Sequence, residues 1–415
     1  MGGPGTTTLF QIPWPDESGS YHLQKIQIES YDNPDSLQGA YAKVLVDPYI
    51  SGGRLESSTP VGRYVKTNGD VMVPADFVSL QAAAIHAHFE RLRKLDSEAG
   101  FGESAGWPAT VGVQANVVDR RGSVRNNAMF DAKLDALLIV PYLNSKLPIA
   151  VNAGILAHEH FHQIFQSLVL DPIGEGGPHA DKPANVTSKH LCNWETKASA
   201  ARTLEGGRNG VRAAKIPPAL YNRYLLRSIN EGLADFWAWV YTGDAEFIRH
   251  SLPEFNELRR LDEDVRQIPG TESVKWNLRN PRDGSVVSEE AVFELSYSLG
   301  TYYSRFLREL ADQVSEAASR SKSARESRLE VAQALIKALP GLSAEADKVA
   351  KAGGYLSPYA ILKPLYQEIG KADGRFCKLF ESVSVAENGE PRPVSCERAP
   401  EPAPAPAPAP TGGES

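Results

Sequence analysis

The sequence has few cysteines, no long apolar run and no excess of basic residues. It holds 3 cysteines among 415 residues, which allows one disulfide at most. Its formal charge of −7 argues against a nucleic-acid partner, because phosphate binding requires a concentrated basic surface. No apolar stretch is long enough to span a bilayer, and residues 1–10 carry no signal peptide. The hydrophobic share of 42% is ordinary and suffices for one large domain or two closely packed ones.

Two of the cysteines lie in the C-terminal part of the chain. Cys377 and Cys396 flank a loop-like segment that contains prolines. A disulfide between them would close this segment if the protein is exported, and the alternative is a pair of free thiols in a cytosolic protein. The third, Cys192, has no evident partner, and the sequence offers no nucleophilic serine or cysteine constellation.

The chain changes from strand-like to helical character near residue 150. Residues 21–74 alternate apolar and polar side chains or are β-branched between turn residues, which predicts strands. Helical spacing of apolar residues predicts a helix over 79–95. Strand patterns return at 109–119, expected to be buried, and at 134–142, expected at a sheet edge. Beyond the histidine-rich stretch, a polar loop is predicted at about 171–200 and helices near 217–242, 288–318, 322–338 and 356–370.

This order of elements predicts an α+β fold with two lobes, a β-rich N-terminal lobe and a mainly helical C-terminal lobe. The predicted segments are 1–74, 75–165, 166–375 and 376–415. The first is β-rich, the second is an α/β part that ends with a histidine-rich helix, and the third is mainly helical. From Ala399 onward a Pro-Ala tail lacks the apolar residues needed for a core and is expected to be disordered.

Three histidines and a glutamate occur within five residues, in the stretch HEHFH at 158–162. On a helix, His158 and His162 share one face, so both imidazoles can bind one cation, and Glu159 can reach the open coordination position. His160 is turned about 200° from this face and is expected to point away. A His-Glu-x-x-His match arises by chance in about one of a hundred chains of this length, so a catalytic zinc site needs a third ligand as support.

The third ligand is expected from a second helix. A third histidine on the same segment would require Gly at 165 and His at 168, and the chain has Phe165 and Leu168. Glu231 and Asp235 are four residues apart on another predicted helix, next to apolar and aromatic residues. A buried carboxylate pair is costly, and a metal bound by Glu231 with Asp235 accepting a histidine N–H would offset that cost. The alternative is an amphipathic helix whose acids face water.

These motifs resemble those of the gluzincin zinc metallopeptidases of the thermolysin and fungalysin type. HEHFH matches their HExxH, and NEGLADFWA at 230–238 is similar to their helix with the third ligand. VRNNAMFDAKLDALLIVPY at 124–142 is similar to the Asn-Ala-aromatic stretch and edge strand beside their cleft. YSLGTYYSRFLREL at 297–310 resembles the later helix that carries a transition-state donor. The resemblance covers about residues 79–310 and implies a zincin-like fold.

The resemblance implies a role for each matching residue around the metal. His158, His162 and Glu231 would bind one zinc ion, and Glu159 would be the general base. Asp235 would orient His158. No loop has EF-hand spacing, so a calcium site is not supported by a motif.

The resemblance also implies the substrate contacts, with one departure at the oxyanion donor. Asn127 and Ala128 would hold the main chain of a peptide substrate, added as a strand at the sheet edge. The family's donor histidine has no clear counterpart here, and its place falls to Tyr297, whose phenol can donate a hydrogen bond to an oxyanion. Tyr302 and Tyr303 are alternatives, and any of the three can instead be a core or surface aromatic residue.

A second departure is the distance along the chain between His162 and Glu231. It is 231 − 162 = 69 positions, much longer than in the thermolysin type. A loop-rich insertion is therefore expected to overhang the cleft.

The leading hypothesis is a zinc-dependent metalloendopeptidase that acts on protein or peptide substrates, exported or held at a cell envelope. One alternative is a catalytically impaired binding protein on the same fold that retains zinc, and another is a zinc hydrolase of a non-peptide amide. The intact Glu159 favours an enzyme, and the missing donor histidine favours the binding protein. The sequence predicts no oligomeric state.

Overall fold

The protein is described by a computed structural model that covers most of the chain. It describes residues 8–173, 215–369, 376–386, 394 and 396, apart from gaps at 17–18, 32–33, 52–53, 58–60, 68, 103–105, 120–121, 288 and 319–321. Within these ranges no helix is long and apolar enough to cross a membrane. Most of the predicted polar loop and insertion, Cys192 and the Pro-Ala tail lie outside the described residues.

In the described ranges all strands lie before residue 140, and every α-helix except the first lies after residue 150. The strands are Thr8–Pro15 (β1), Tyr21–Ile28 (β2), Ala42–Val46 (β3), Tyr49–Ser51 (β4), Arg54–Glu56 (β5), Tyr64–Thr67 (β6), Val71–Pro74 (β7), Ala109–Val113 (β8), Val118–Asp119 (β9), Gly122–Ser123 (β10), Ala128–Asp131 (β11) and Ala136–Ile139 (β12). The helices are Phe77–Ala99 (α1), Ala153–Phe165 (α2), Asp171–Ile173 (α3), Pro218–Thr242 (α4), Asn256–Arg259 (α5), Thr271–Asn277 (α6), Glu289–Ala317 (α7), Ala324–Lys351 (α8), Leu362–Ile369 (α9) and Cys377–Val383 (α10). The predicted α+β class, β-rich first and helical second, is confirmed.

The first four-stranded sheet has the order β11-β12-β8-β3 and lies beside α2. Strands β3, β8 and β12 run parallel, and β11 is antiparallel to β12, with Ala128 opposite Ile139. The prediction of an edge strand at 134–142 is wrong, because β12 lies between β8 and β11. All four residues of β12 are buried, as expected of an interior strand with two covered faces, and β11 forms the edge.

The second four-stranded sheet, in the order β2-β1-β7-β6, packs on the other side of α1. Ala83 and Ala87 of α1 pack in the core of this sheet, whereas Ile85 and Phe89 pack in the core of the first. Helix α1 is buried on both sides for this reason. Strand β3 comes from the predicted segment 1–74 and pairs with β8 from the next one, so the two segments share a sheet.

In the helical part, α4 packs against both α2 and α7. A Cβ atom on Gly232 of α4 would lie 2.1 Å from the carbonyl oxygen of Gly300 on α7. The two backbones approach so closely that a side chain cannot be accommodated between them. This crossing brings the residues next to Gly232 on α4 close to the residues one turn before Gly300 on α7.

The last described segment is fixed to the helical part. Cys377 at the start of α10 forms a disulfide with Cys396. Of the two alternatives, a disulfide or two free thiols, the structure contains the disulfide. Phe380 of the same helix packs against the rings of Phe306 and Tyr366. The segment before the Pro-Ala tail is therefore part of the folded core.

Candidate metal centre

The histidine-rich helix α2 is fixed at its N-terminus from three directions. The buried Asn152 side chain accepts hydrogen bonds from two N–H groups of the first turn and donates to the Phe247 carbonyl oxygen at 3.0 Å. The Tyr21 hydroxyl accepts a hydrogen bond from the Ala153 N–H at 2.8 Å. A Cβ atom on Gly154 would lie 2.4 Å from the Phe247 ring, so glycine permits this contact. These contacts set the direction in which the side chains one turn later point.

One face of α2 brings together His158, Glu159 and His162. One ligand atom from each of these side chains lies within 4.8 Å of the other two. His158 and Glu159 are buried and His162 is nearly so. Two imidazoles and a carboxylate, largely removed from water, could hold a metal ion.

Helix α4 adds a second carboxylate to this group. The Oε2 atom of Glu231 lies 3.4 Å from Nε2 of His158 and 3.8 Å from Nε2 of His162. Glu231 is itself buried, with 6% of its surface exposed. The single Glu231 oxygen thus faces the same nitrogen of both histidines, and Glu159 lies beside this three-residue set.

Each of the two histidines has a hydrogen-bond partner at its other ring nitrogen. Nδ1 of His158 donates to Oδ1 of Asp235 at 2.9 Å, and Nδ1 of His162 donates to Oδ1 of Asn230 at 3.0 Å. Such partners fix the ring orientation and leave Nε2 as the nitrogen that can bind a metal. Asn230 is not among the predicted site residues, and its place directly before Glu231 is the signal that could have found it.

Arg259, on the short helix α5, is a further residue of the site that the sequence analysis missed. Its Nε donates to Oδ2 of Asp235 at 3.2 Å, and its terminal nitrogen contacts Oδ1 of the same carboxylate. That terminal nitrogen also lies 3.1 and 3.3 Å from the two ring nitrogens of His158. Arg259 follows His162 by 259 − 162 = 97 positions, and no local spacing connects it to the motif.

The close charges shift the pKa values of the site residues. Burial and the charge of Arg259 lower the pKa of His158, but hydrogen bonds to Asp235 and Glu231 outweigh them and raise it to about 9. Burial lowers the pKa of His162. Burial would raise the pKa of Glu231, but the hydrogen bond from His158 and the nearby charges hold it well below its usual range. Glu231 is therefore an anion at neutral pH, as a metal ligand must be.

Among the three candidate tyrosines, Tyr297 lies nearest the charged groups of the site. Its ring packs under the guanidinium of Arg259, with 4.8 Å from Cζ to the ring centroid. The charge of Glu231, followed by burial, raises its pKa, so the phenol keeps its proton. Tyr303 is buried and donates a hydrogen bond to the Pro358 carbonyl oxygen at 2.8 Å, which makes it a core residue. Tyr302 is half-buried and packs against the core.

The predicted substrate-binding residues lie at the edge strand. Ala128 is the first residue of β11 and is buried, whereas Asn127 precedes the strand and is exposed. The carbonyl oxygen of Asn127 accepts a hydrogen bond from the Val140 N–H at 3.1 Å. The role of these two residues in substrate binding stays a prediction.

The middle histidine of the motif points away from this group, as the helical spacing predicts. Nε2 of His160 lies 2.9 Å from Oδ2 of Asp96 on α1, and both side chains are buried. The rings of Trp107 and Phe89 pack around the imidazole. His160 therefore joins α2 to α1 and is not a ligand of the candidate metal centre.

Comparisons with known proteins add no family to this geometry. No protein-family model matches the chain, and no curated protein matches its sequence. The candidate metal centre is characterised by its own residues: two histidines, two glutamates and the groups that hold them.

Proposed function

We propose that this protein is a zinc-dependent metalloendopeptidase of the gluzincin type. One observation carries the proposal: Oε2 of Glu231 lies 3.4 and 3.8 Å from the Nε2 atoms of His158 and His162, with Glu159 beside them. Two imidazoles and a carboxylate from two different helices meet at one buried point.

The residues present fit a zinc ion. Zinc is bound tetrahedrally at about 2.0–2.1 Å by nitrogen and oxygen atoms, which separates neighbouring ligand atoms by roughly 3.3 Å. The distances from Glu231 to His158 and His162 are close to this value. Three protein ligands leave one coordination position open, as in catalytic zinc sites.

The chemistry divides among the groups of the site. Bound zinc lowers the pKa of water and polarises a carbonyl group. Glu159 accepts the proton of the attacking water and passes it to the leaving amine. Tyr297 keeps its proton and donates a hydrogen bond to the developing oxyanion. Asp235 and Asn230 hold the rings of the two histidines in the required orientation.

A peptide is the substrate that the surroundings of the site favour. Strand β11 is an edge strand beside α2, and an extended peptide can pair with such an edge through its main chain. Asn127 and Ala128 would contact that chain at the start of the strand. The Cys377–Cys396 disulfide supports export to an extracellular or cell-envelope location, because disulfides persist in oxidising surroundings.

The test compares the wild type with Glu159→Gln in zinc content and in hydrolysis of casein or a quenched peptide. We expect one zinc per chain in both proteins and a rate lower by about 10²–10⁴-fold in the variant, the usual contribution of a general base. The control is Asp135→Asn. Asp135 is exposed, accepts a hydrogen bond from Gln163 on the helix that carries Glu159, and is not one of the side chains grouped around the candidate metal centre. Equal rates in wild type and Glu159→Gln would contradict the proposal.

A second candidate is a zinc-retaining binding protein without turnover. The observation that favours it is the lack of a histidine where the family carries its transition-state donor. Tyr297 stands at that place, and its ring packs against the guanidinium of Arg259. Stoichiometric zinc without hydrolysis by the wild type would favour this candidate, and no zinc in either protein would exclude both.

A further inference from the structure

The two carboxylate oxygens of Glu231 have different surroundings. Oε2 faces the histidine nitrogens at 3.4 and 3.8 Å, whereas Oε1 lies 3.6 Å from a terminal nitrogen of Arg227. The terminal torsion of a glutamate is broad, and a carboxylate can bind a metal through one oxygen or both. A neighbouring group that holds one oxygen of Glu231 would therefore decide which oxygen faces a bound metal.

Arg227 is suited to this selection because it is fixed between two helices. It lies one turn before Glu231 on α4, on the same helical face. Its Nε lies 3.3 Å from Oγ of Ser296, which is fully buried on α7. Ser296 directly precedes Tyr297, and the two helices touch four residues later through Gly300. The guanidinium is thus held by a rigid helix crossing.

We propose that Arg227 is a positioning residue that holds Oε1 of Glu231, so that Glu231 presents Oε2 alone to the metal. This inference rests on the proposed function. Arg227 is not a residue that the sequence motifs or the family resemblance assign. Its planar guanidinium lets Nε donate to Oγ of Ser296 while a terminal nitrogen forms an ion pair with Oε1 of Glu231.

A purely electrostatic role makes a different prediction from a positioning role. If Arg227 only neutralises the buried charge of Glu231, any cation at this position suffices, and Arg227→Lys behaves like the wild type. If it positions the carboxylate, lysine keeps the charge but lacks the planar group that reaches Ser296 and Glu231 together. Arg227→Gln removes both.

The experiment measures zinc affinity and the visible spectrum of the Co²⁺-substituted protein for wild type, Arg227→Lys and Arg227→Gln. We expect zinc affinity to fall by about 10–100-fold in Arg227→Gln, as for other residues that hold a metal ligand. A second Glu231 oxygen at the metal raises the coordination number, and Co²⁺ then absorbs visible light more weakly. We expect this weaker absorption in both variants. The control, Arg223→Gln, removes the same charge one turn further from Glu231 and should leave both quantities unchanged.

Each other outcome overturns the inference. Zinc affinity and spectrum of Arg227→Gln equal to those of Arg223→Gln would show that Arg227 does not act on the metal. A loss of affinity with an unchanged spectrum, or full rescue by Arg227→Lys, would assign Arg227 a charge role only. A wild type that binds neither zinc nor Co²⁺ would overturn the proposed function as well, which distinguishes the two failures.

Discussion

The two faces of helix α2 carry histidines with the same kind of partner but with different surroundings. On one face, His158 donates to Asp235 at 2.9 Å, and on the other, Nε2 of His160 lies 2.9 Å from Asp96. The His158 ring keeps a second nitrogen directed at Glu231, at 3.4 Å. The His160 ring is packed between aromatic side chains.

The difference teaches that a buried histidine–carboxylate pair does not by itself indicate a metal site. The His160–Asp96 pair joins helices α2 and α1 through one contact, and no third metal-ligand side chain joins it among the described residues. Nδ1 of His160 and Oδ1 of Asp96 are buried there without a hydrogen-bond partner. A metal site requires several donors whose lone pairs converge on one point. In the part of the chain that the structure describes, only His158, Glu159 and His162 form a group of three such side chains with ligand atoms within 4.8 Å of one another, and Glu231 of α4 faces the two histidines.

The largest expected contrast comes from the same substitution made on either face. We expect His160→Leu to lower the free energy of unfolding by about 3–5 kcal/mol, because Asp96 remains buried without its partner. Zinc binding should survive. We expect His162→Leu to weaken zinc binding by more than about 100-fold, because the loss of a group that only orients a ligand already costs 10–100-fold.

Both variants are examined by denaturant unfolding in the presence of a chelator and by equilibrium dialysis against zinc. The comparison fails if both substitutions abolish zinc binding, or if both leave it intact.

A contrast of the same kind is expected on α7, between Tyr297 and Tyr303. We expect Tyr297→Phe to lower kcat by about 10²–10³-fold with unchanged zinc content, the usual effect of removing an oxyanion donor. Tyr303→Phe removes a hydrogen bond to the Pro358 carbonyl and should cost about 1 kcal/mol of stability without a change in rate. A Tyr297→Phe rate within threefold of the wild type would exclude Tyr297 as the donor.

A smaller contrast separates the two aspartates. We expect Asp235→Asn to weaken zinc binding by about 10–100-fold, because an amide holds the His158 ring less well than a carboxylate. Asp96→Asn should leave zinc affinity unchanged, since Asp96 of α1 contacts His160 on the face of α2 opposite to His158. Titration of chelator-treated protein with zinc measures both, and equal affinities would show that Asp235 serves Arg259 rather than the metal.

The sequence predicts the long helices correctly, but it does not predict the extent of the elements that contain proline. Helices α1, α4 and α7 have strong helical periodicity and lie where they are predicted. Helix α8 is predicted to end at residue 338, but it continues through Pro340 to Lys351. Strand β1 is missed because Pro13 and Pro15 interrupt its pattern. Its pairing with β7 involves only Leu9 and Phe10, so these prolines lie where the strand has a neighbour on one side only.

The candidate site divides in the same way between local and distant information. His158, Glu159 and His162 are recognised from their spacing on one helix. Arg259 is not recognised in this way. It lies 24 positions after Asp235, and their contact depends on how the short helix α5 packs. Side chains that support a site from another element leave no periodic signal, so sequence patterns reveal ligands more readily than the groups that hold them.

The smallest effect that we predict concerns pH and extends the comparison to α1. Burial lowers the pKa of His86 to about 4, whereas the partners of His158 raise its pKa to about 9. In the unfolded chain a histidine titrates near 6.5. Below pH 6.5 His86 binds a proton in the unfolded chain but not in the folded protein, so stability falls as the pH decreases toward 4. His158 acts in the opposite direction: its stabilisation is complete below 6.5 and is lost as the pH rises through about 9.

His86→Gln removes the pH dependence of stability that is due to His86. Glutamine can still donate to the Leu37 carbonyl oxygen that His86 contacts. Between pH 7.5 and pH 5.5 we expect the free energy of unfolding to fall by about 1.4 kcal/mol more in the wild type than in the variant. The lower pH is one unit below the pKa of histidine in the unfolded chain. Denaturant unfolding at both pH values, with chelator present, measures the difference. The contribution of His158 is the same in both proteins and cancels. Identical losses in the two proteins would mean that His86 accepts a proton within the fold, and the contrast between metal-facing and structural histidines would then rest on geometry alone.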